Sequence, residues 1–384
     1  MVYLAKTMAG LEEVLARELT ALGALDVTPL KRAVQFQGDQ KLLYRANYEL
    51  RTALRIFQPI AQFRARNEDE LYRRVFDMDW PSLLQLQDTF AIDAVTNSDI
   101  FRHSKYAALK TKDAIADRFR RQTGRRPDVD AKNPIKRLNL HIYNDQCTLS
   151  LDSSGDSLHK RGYRAEALEA PINEVLAAGI ILLTGWQADC HFIDPMCGSG
   201  TLLLEAAMIA HNIPPQWKRR TFGFMRWPDF DAGLWMQVKR EAKAAMKPFD
   251  YLLWGADNDL RAIALTRSNA DAAGLEHYLS LQAAEFDQLQ PPAPPGLVVM
   301  NPPYNERLQI DDIAQLYKNI GDKLKSSFSG YEAWIISANV DAVKHIGLKA
   351  SRRFTLYNGP LECKLLRFDM YEGSKKIPAQ TEES

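Results

Sequence analysis

A chain of 384 residues with 46% hydrophobic, 25% charged and 10% aromatic side chains has an ordinary globular composition and room for two domains, which excludes a disordered or fibrous protein. Its formal net charge is only +1, yet residues 102–137 hold twelve Lys or Arg against four Asp, a local excess of +8. The whole chain is therefore not polycationic, but one segment is, and that segment suits a polyanionic partner.

In chain order, MVYLAKTMAGLEEVLARELTALGA lacks a basic leader, and Glu12, Glu13 and Glu18 interrupt its apolar residues. It reads as a strand and an amphipathic helix, not as a signal peptide. AVQFQG, QKLLYRANY and LRIFQPIAQF extend a small α+β region. SKYAALKTKDAIADRFRRQTG reads as a helix capped by Ser104 and ended by Gly124, with Ala108, Ile115 and Phe119 on one face and most cations off it. RLNLHIYNDQCTLSLD is a hairpin pattern, and the polar stretch SSGDSLHKRGYRAE after it reads as a connector between domains.

From about residue 166 helices alternate with short apolar runs: HFID, YLLWGAD, YLSLQAA, GLVVM and EAWIIS. That alternation predicts a mostly parallel sheet sandwiched by helices. SRRFTLYNGPLECKLLRFDMY closes it with an antiparallel hairpin at Asn358-Gly359, and the last residues, 373–384, have a disordered composition. The longest apolar run, VLAAGIILLTGW, falls short of the ~20 residues that span a bilayer. Cys147, Cys190, Cys197 and Cys363 show neither paired metal spacing nor a disulfide framework, so a reducing, cytoplasmic setting and no metal are expected.

DPMCGSGTLLLEAA, residues 194–207, follows a strand and opens a helix. Gly198 and Gly200 let the backbone turn tightly and a ligand approach it, with helix N–H groups beyond. It is not the dinucleotide fingerprint, because Leu203 stands where a third glycine would be needed and Asp194 would repel a pyrophosphate; an acid there suits a cationic ligand. Asp257 ends the next strand and can accept ribose hydroxyls, while Glu285 or Asp287 sits where a purine amino group would be read. Between these strands lies an insertion containing QWKRRTFGFMRW. Two readings of it stay open: cations and rings that hold phosphates and stack bases, or a basic face over a local aromatic core. Asn301, Pro302, Pro303 and Tyr304 form a stiff exit from GLVVM.

DPMCGSGT, GADND and NPPY in this order resemble the Rossmann-like S-adenosylmethionine-dependent methyltransferases that act on exocyclic amines. With SLHKRGYR, NPPYNERL and YNGPLECKLLRF added, the chain is similar to the THUMP-containing 23S rRNA guanine-N2 methyltransferases. The resemblance implies a ferredoxin-like segment (1–60), a THUMP RNA-binding domain (61–165) and a methyltransferase domain (166–372). Asn305 replaces the family's glycine in NPPYGER, and Asn173 a usual basic residue.

The resemblance further implies that S-adenosylmethionine is held by Asp194, Met196, Cys197, Gly198, Gly200, Thr201, Asp257, Asn258 and Glu285. Asn301 and the Pro302 carbonyl would accept the target amine's protons, Pro303 would keep the turn rigid and Tyr304 would stack on the base. Ribosomal RNA would be gripped by Lys105, Lys110, Lys112, Arg118, Arg121, Arg125, Arg126, Lys160, Arg161, Arg164, Arg219 and Arg220. An adenine-N6 methyltransferase shares the NPPY turn and is the nearest alternative; a non-catalytic RNA-binding assembly factor is the other.

Overall fold

Tyr3 and Ala5 of the first strand, β1 (Val2–Lys6), are fully buried while Val2 is exposed, the period-two pattern of a strand covered on one face. The computed structural model describes residues 1–164, 172–303 and 310–371, and divides into two units: 1–162 with 213–246, and 163–212 with 247 onward. Tyr304, Asn305 and the predicted disordered tail lie outside the described residues.

After β1 come α1 (Glu12–Ala21), β2 (Leu25–Leu30), β3 (Ala33–Gln37), α2 (Gln40–Glu49) and β4 (Arg55–Arg64). Then follow α3 (Glu68–Phe76), β5 (Thr89–Asn97), α4 (Ser104–Thr123), β6 (Asp128–Val129), β7 (Lys136–Tyr143) and β8 (Gln146–Asp152). The strands make one eight-stranded sheet in the order β2-β3-β1-β4-β8-β7-β5-β6. β4 is its joint, antiparallel to β1 on one side and to β8 on the other, so the boundary placed at 60/61 falls inside a shared strand.

The predicted basic helix is α4, ended by Gly124 at φ 71°. Ser104 is its first residue rather than its cap, and Ala107, Ala114, Ile115 and Phe119 form the buried stripe. The hairpin β7/β8 turns at Asn144-Asp145, with Tyr143 opposite Gln146 and Asn144 at φ 53°. The stretch read as a connector is instead packed into this unit. Ser153, Ser154 and Leu158 are fully buried, and the two serines bond Asn47 and the Ile56 backbone.

The remaining elements are α5 (Glu174–Thr184), β9 (His191–Asp194), α6 (Thr201–Ala210), α7 (Ala232–Ala244), β10 (Leu253–Asp257), α8 (Leu260–Ala273), β11 (Leu279–Ala283) and β12 (Gly296–Met300). The chain continues through α9 (Ile310–Ser327), β13 (Tyr331–Ser337), α10 (Val340–Lys344), β14 (Arg352–Asn358) and β15 (Leu361–Asp369). All except α7 belong to the second unit. Its sheet has the order β11-β10-β9-β12-β13-β15-β14, with β9 to β13 parallel and the β14/β15 hairpin antiparallel. Strand order reverses between β9 and β12, and open α/β sheets bind ligands at such a switch point, beyond the carboxyl ends of the strands.

Residues 213–246 interrupt the second unit in sequence but fold with the first. Phe222, Phe224, Trp227 and Trp235 are at most 8% exposed and share one core with Tyr44 and Tyr48. Tyr44 stacks on Phe224 at 4.4 Å, and Trp235 stands edge-on to Tyr48 at 5.3 Å. The aromatic-core reading of the insertion therefore holds, and the domain span 166–372 needs this excision. Trp217 alone among the four rings singled out in QWKRRTFGFMRW is exposed, with Lys218 Nζ 4.6 Å over its ring.

Candidate active site

Four parallel strands, β11, β10, β9 and β12, lie side by side, so their carboxyl ends share one edge. Asp194 ends β9, Asp257 ends β10, Glu285 follows β11 and Asn301 follows β12. The strand tips named from sequence are thus brought together.

The loop after β9 is held by backbone geometry that only glycine adopts at no cost. Gly198 has φ 55° and Gly200 φ 78°, where it caps α6. A β-carbon on Gly200 would meet Thr266 Cγ2 at 2.6 Å, whereas one on Gly198 would meet open space, leaving that backbone approachable. The Gly200 amide donates to the Cys197 carbonyl at 2.8 Å, and the Cys197 amide to Ala256 at 2.9 Å. Two residues of α8 that sequence reading missed complete the support. Thr266 Oγ1 donates to Gly198 O at 2.9 Å, and Asn269 Nδ2 to Ser199 O at 3.0 Å. Their only sequence signal is a polar face on an otherwise ordinary helix.

Leu203 does stand where a dinucleotide loop has glycine, and the close helix–strand approach is supplied from the other side. A β-carbon on Gly255 of β10 would overlap Leu203 Cδ1.

Asp194 is 1% exposed and its carboxyl is pushed up to about 8, chiefly by burial; the Met196 amide at 3.3 Å lowers it and nearby Asp257 raises it. A buried acid without a cation favours a positively charged ligand. Asp257 accepts the Gly198 amide at 2.9 Å and the Asp259 amide at 3.0 Å, one on each oxygen, which leaves a lone pair on both. Glu285 is exposed and receives Asn258 Nδ2 at 3.3 and 3.2 Å, next to Asp257. Asp287 is also exposed, and among the described residues no hydrogen bond ties it to the tip of β10. Met196 is half-buried, while Cys197 and Thr201 are buried, so the last two shape the loop from behind. Asn301 is half-buried, Pro302 buried and Pro303 exposed.

Upstream, Arg164 pairs with the buried Glu174 at 2.9 Å and donates to Thr201 Oγ1 at 3.1 Å, linking α5 to the start of α6. Asn173 caps α5, its side chain accepting from the Val175 amide at 2.9 Å.

The expected RNA-contact cations divide by burial. Lys105, Arg121, Arg125, Arg126, Lys160 and Arg220 are exposed. Lys110 pairs with Asp69 and Lys112 with Asp113, and Arg118 lies 5.6 Å over the Phe76 ring. Two are placed elsewhere. Arg161 is 2% exposed and donates to the Leu158 and Arg51 carbonyls, so it is a core strut. Arg164 pairs with Glu174 as described, while Arg219 is half-buried and held by backbone carbonyls. Among the described residues no cluster of His, Cys, Asp or Glu is placed to hold a metal ion, and no helix is long and apolar enough to cross a membrane.

Comparison with known proteins adds three family matches: an RlmL ferredoxin-like domain over residues 3–57, a THUMP domain over 65–152, and an RMKL-like methyltransferase domain over 161–367. The ribosomal RNA large subunit methyltransferase K/L of Syntrophotalea carbinolica is 43% identical over 96% of this chain and 54% of its own length, so this chain spans about half of that relative. An RNA methyltransferase candidate of Synechocystis, slr0064, is 40% identical over 96% of this chain and 97% of its own. The crystal structure of SMU.472 complexed with SAH superposes with a TM-score of 0.88 at 31% identity, covering 97% of this chain and 99% of that one.

Proposed function

We propose a function from one premise: this chain belongs to the family of RMKL-like methyltransferases that carry a THUMP domain. Its cofactor is S-adenosylmethionine, in keeping with the relative seen with SAH. The reaction is methyl transfer to the exocyclic N2 amine of a guanine in 23S ribosomal RNA. The observation that carries this reading is the placement of Asn301 at the end of β12, directly beside β9, whose end bears Asp194 and the glycine loop.

The donor set suits the cofactor. Buried Asp194 faces a need for positive charge, Asp257 keeps two lone pairs for vicinal hydroxyls, and Glu285 beside Asn258 stands where a purine amino group is read. When bound, the cofactor supplies an electrophilic methyl on a sulfonium. The chain's own part is alignment, on the scale of ~7–11 kcal/mol that positioning can contribute. Asn301 Oδ1 and the Pro302 carbonyl each accept one N–H of the planar amine, which turns its lone pair toward the methyl. Two prolines hold that carbonyl still. A neutral amine so aligned needs no strong base. A base drawn out of its stack loses a few kcal/mol, and stacking on Tyr304 would return ~1–3 kcal/mol of it.

Incubation with cofactor and unmodified 23S rRNA, followed by nucleoside mass spectrometry, tests the reading. N2-methylguanosine is expected. N6-methyladenosine would establish the alternative, and no methylation despite tight SAH binding would make the chain a non-catalytic binder.

A further inference from the structure

A cavity of about 230 Å³ opens on the N-terminal unit where three segments meet: the loop before β7, the turn after β8 and the insertion. Five basic and two acidic side chains line it, and their partners decide its character. Arg219 donates to the carbonyls of Ser154, Asp156 and Thr221 at 3.0, 2.7 and 3.0 Å. Arg226 donates to the Pro134 carbonyl at 2.6 Å, and Arg137 to the carbonyls of Ala131 and Lys132 besides the Asp93 carboxylate. Neutral carbonyls fix Arg219 and Arg226 without cancelling their charge, whereas Asp93 offsets that of Arg137. Burial lowers Arg219 to about 10, which still leaves it protonated at neutral pH.

The acids do little to offset this. Asp152 is committed to Arg55 and the amides of Ser154 and Gly155. Asp156 reaches Lys160 only at 3.6 Å, with side chains 72% and 61% exposed. No ion pair engages Lys132 among the described residues. The floor is built from bare backbone: Gly155, at φ 77°, lies against Gly223, and a β-carbon there would meet the Gly223 nitrogen at 3.1 Å. Phe222 lines the cavity but is only 2% exposed, packed on Phe224 and Trp235 with the Arg219 guanidinium 4.9 Å over its ring. Recognition there rests on charge, with no stacked base.

We propose that this cavity is a phosphate subsite for RNA, in which one phosphodiester enters between Lys132, Lys160 and Arg226 with Arg219 behind it. The assignment rests on the RNA substrate proposed above and adds where the backbone is gripped. The insertion, by this account, completes a backbone clamp on the THUMP unit.

Anisotropy of a fluorescein-labelled stem-loop RNA, measured against salt, tests it. The double variant Lys132→Ala/Lys160→Ala removes rim charge without touching the carbonyl bonds. Its slope of log affinity on log salt should shrink by about 1 per lysine, with uniform weakening across RNA sequences. Lys31→Ala/Lys243→Ala, an exposed pair away from the cavity, should leave both values near wild type, and SAH affinity should be unchanged in both variants. An unchanged slope in the cavity variant, or an equal drop in the control, would overturn the subsite while leaving the RNA reading intact. Failure of the wild-type chain to bind RNA while it binds SAH would overturn the RNA reading itself. Saturable binding of inorganic phosphate alone, lost in the cavity variant, would reassign the cavity to a free anion.

Discussion

The Asp257 carboxylate accepts the Gly198 amide at 2.9 Å, tying the tip of β10 to the glycine loop of its neighbour β9. The same side chain that would meet ribose hydroxyls therefore also sets the shape of the loop.

Asp257→Ala should accordingly cost more than two hydroxyl contacts. One charge-assisted bond alone is worth ~1.5–3 kcal/mol, so SAH affinity should fall by at least roughly 10-fold. Calorimetry measures it. Asp257→Asn keeps the shape and one acceptor, and should fall between that variant and wild type.

Asp194 predicts a pH dependence whose sign follows from its raised value of about 8. Its folded-state pKa exceeds the unfolded one, so the free protein binds more protons when folded, and this contribution to stability is full below pH ~4 and lost as pH rises through about 8. Asp194→Asn should melt several degrees above wild type at pH 8.5 and converge with it toward pH 4. Cationic cofactor binding near pH 7 should release a proton, seen as a buffer-dependent enthalpy in wild type and absent in the variant.

Asn301→Ala should lower turnover at least ~100-fold, the scale for removing one positioned polar group. SAH affinity should stay within about twofold of wild type by calorimetry, because Asn301 follows β12 and not the strands that carry the loop and acids. A parallel loss of affinity would give Asn301 a cofactor role instead.

Trp235→Ala should destabilise the N-terminal unit, since its ring packs edge-on against Tyr44, Tyr48, Phe222 and Phe224. A cost of ~3–5 kcal/mol is typical of an aromatic truncated in a core. Scanning calorimetry with SAH should show the ligand-stabilised transition unmoved and the other one lowered.

The strand tips were legible because each strand is a short apolar run, ending in Asp194 or Asp257 or followed by Asn301; the glycine loop, the paired prolines and the family resemblance pointed from there to a chemistry. The parallel order of the sheet then places the tips on one edge. Glu285 was separable from Asp287 only once its contact with Asn258 was seen. Arg161, by contrast, looked like one more surface cation, since a guanidinium satisfied by the carbonyls of Leu158 and Arg51 leaves no trace in local sequence. The stretch after β8 misled for a related reason. Serine, glycine and aspartate mark solvated loops, but Ser153 and Ser154 meet their partners on α2 and β4, about a hundred residues earlier. Interleaved rings and cations in the insertion look alike whether the rings point in or out; only distant Tyr44 and Tyr48 decide it.

The membership of residues 213–246 also sets an order of events during synthesis. The N-terminal unit lacks Phe222, Phe224 and Trp235 until residue 246 has emerged, 84 residues after its first stretch ends at 162. At ~5–20 residues per second that is a wait of about 4–17 s. By then β9 and α6 are already made, with the partners of β9 still to come. Nascent Tyr44 and Tyr48 stay uncovered through this interval, which marks them as the surface a chaperone would meet, and a chain ended at residue 165 would leave these two rings without their partners for good.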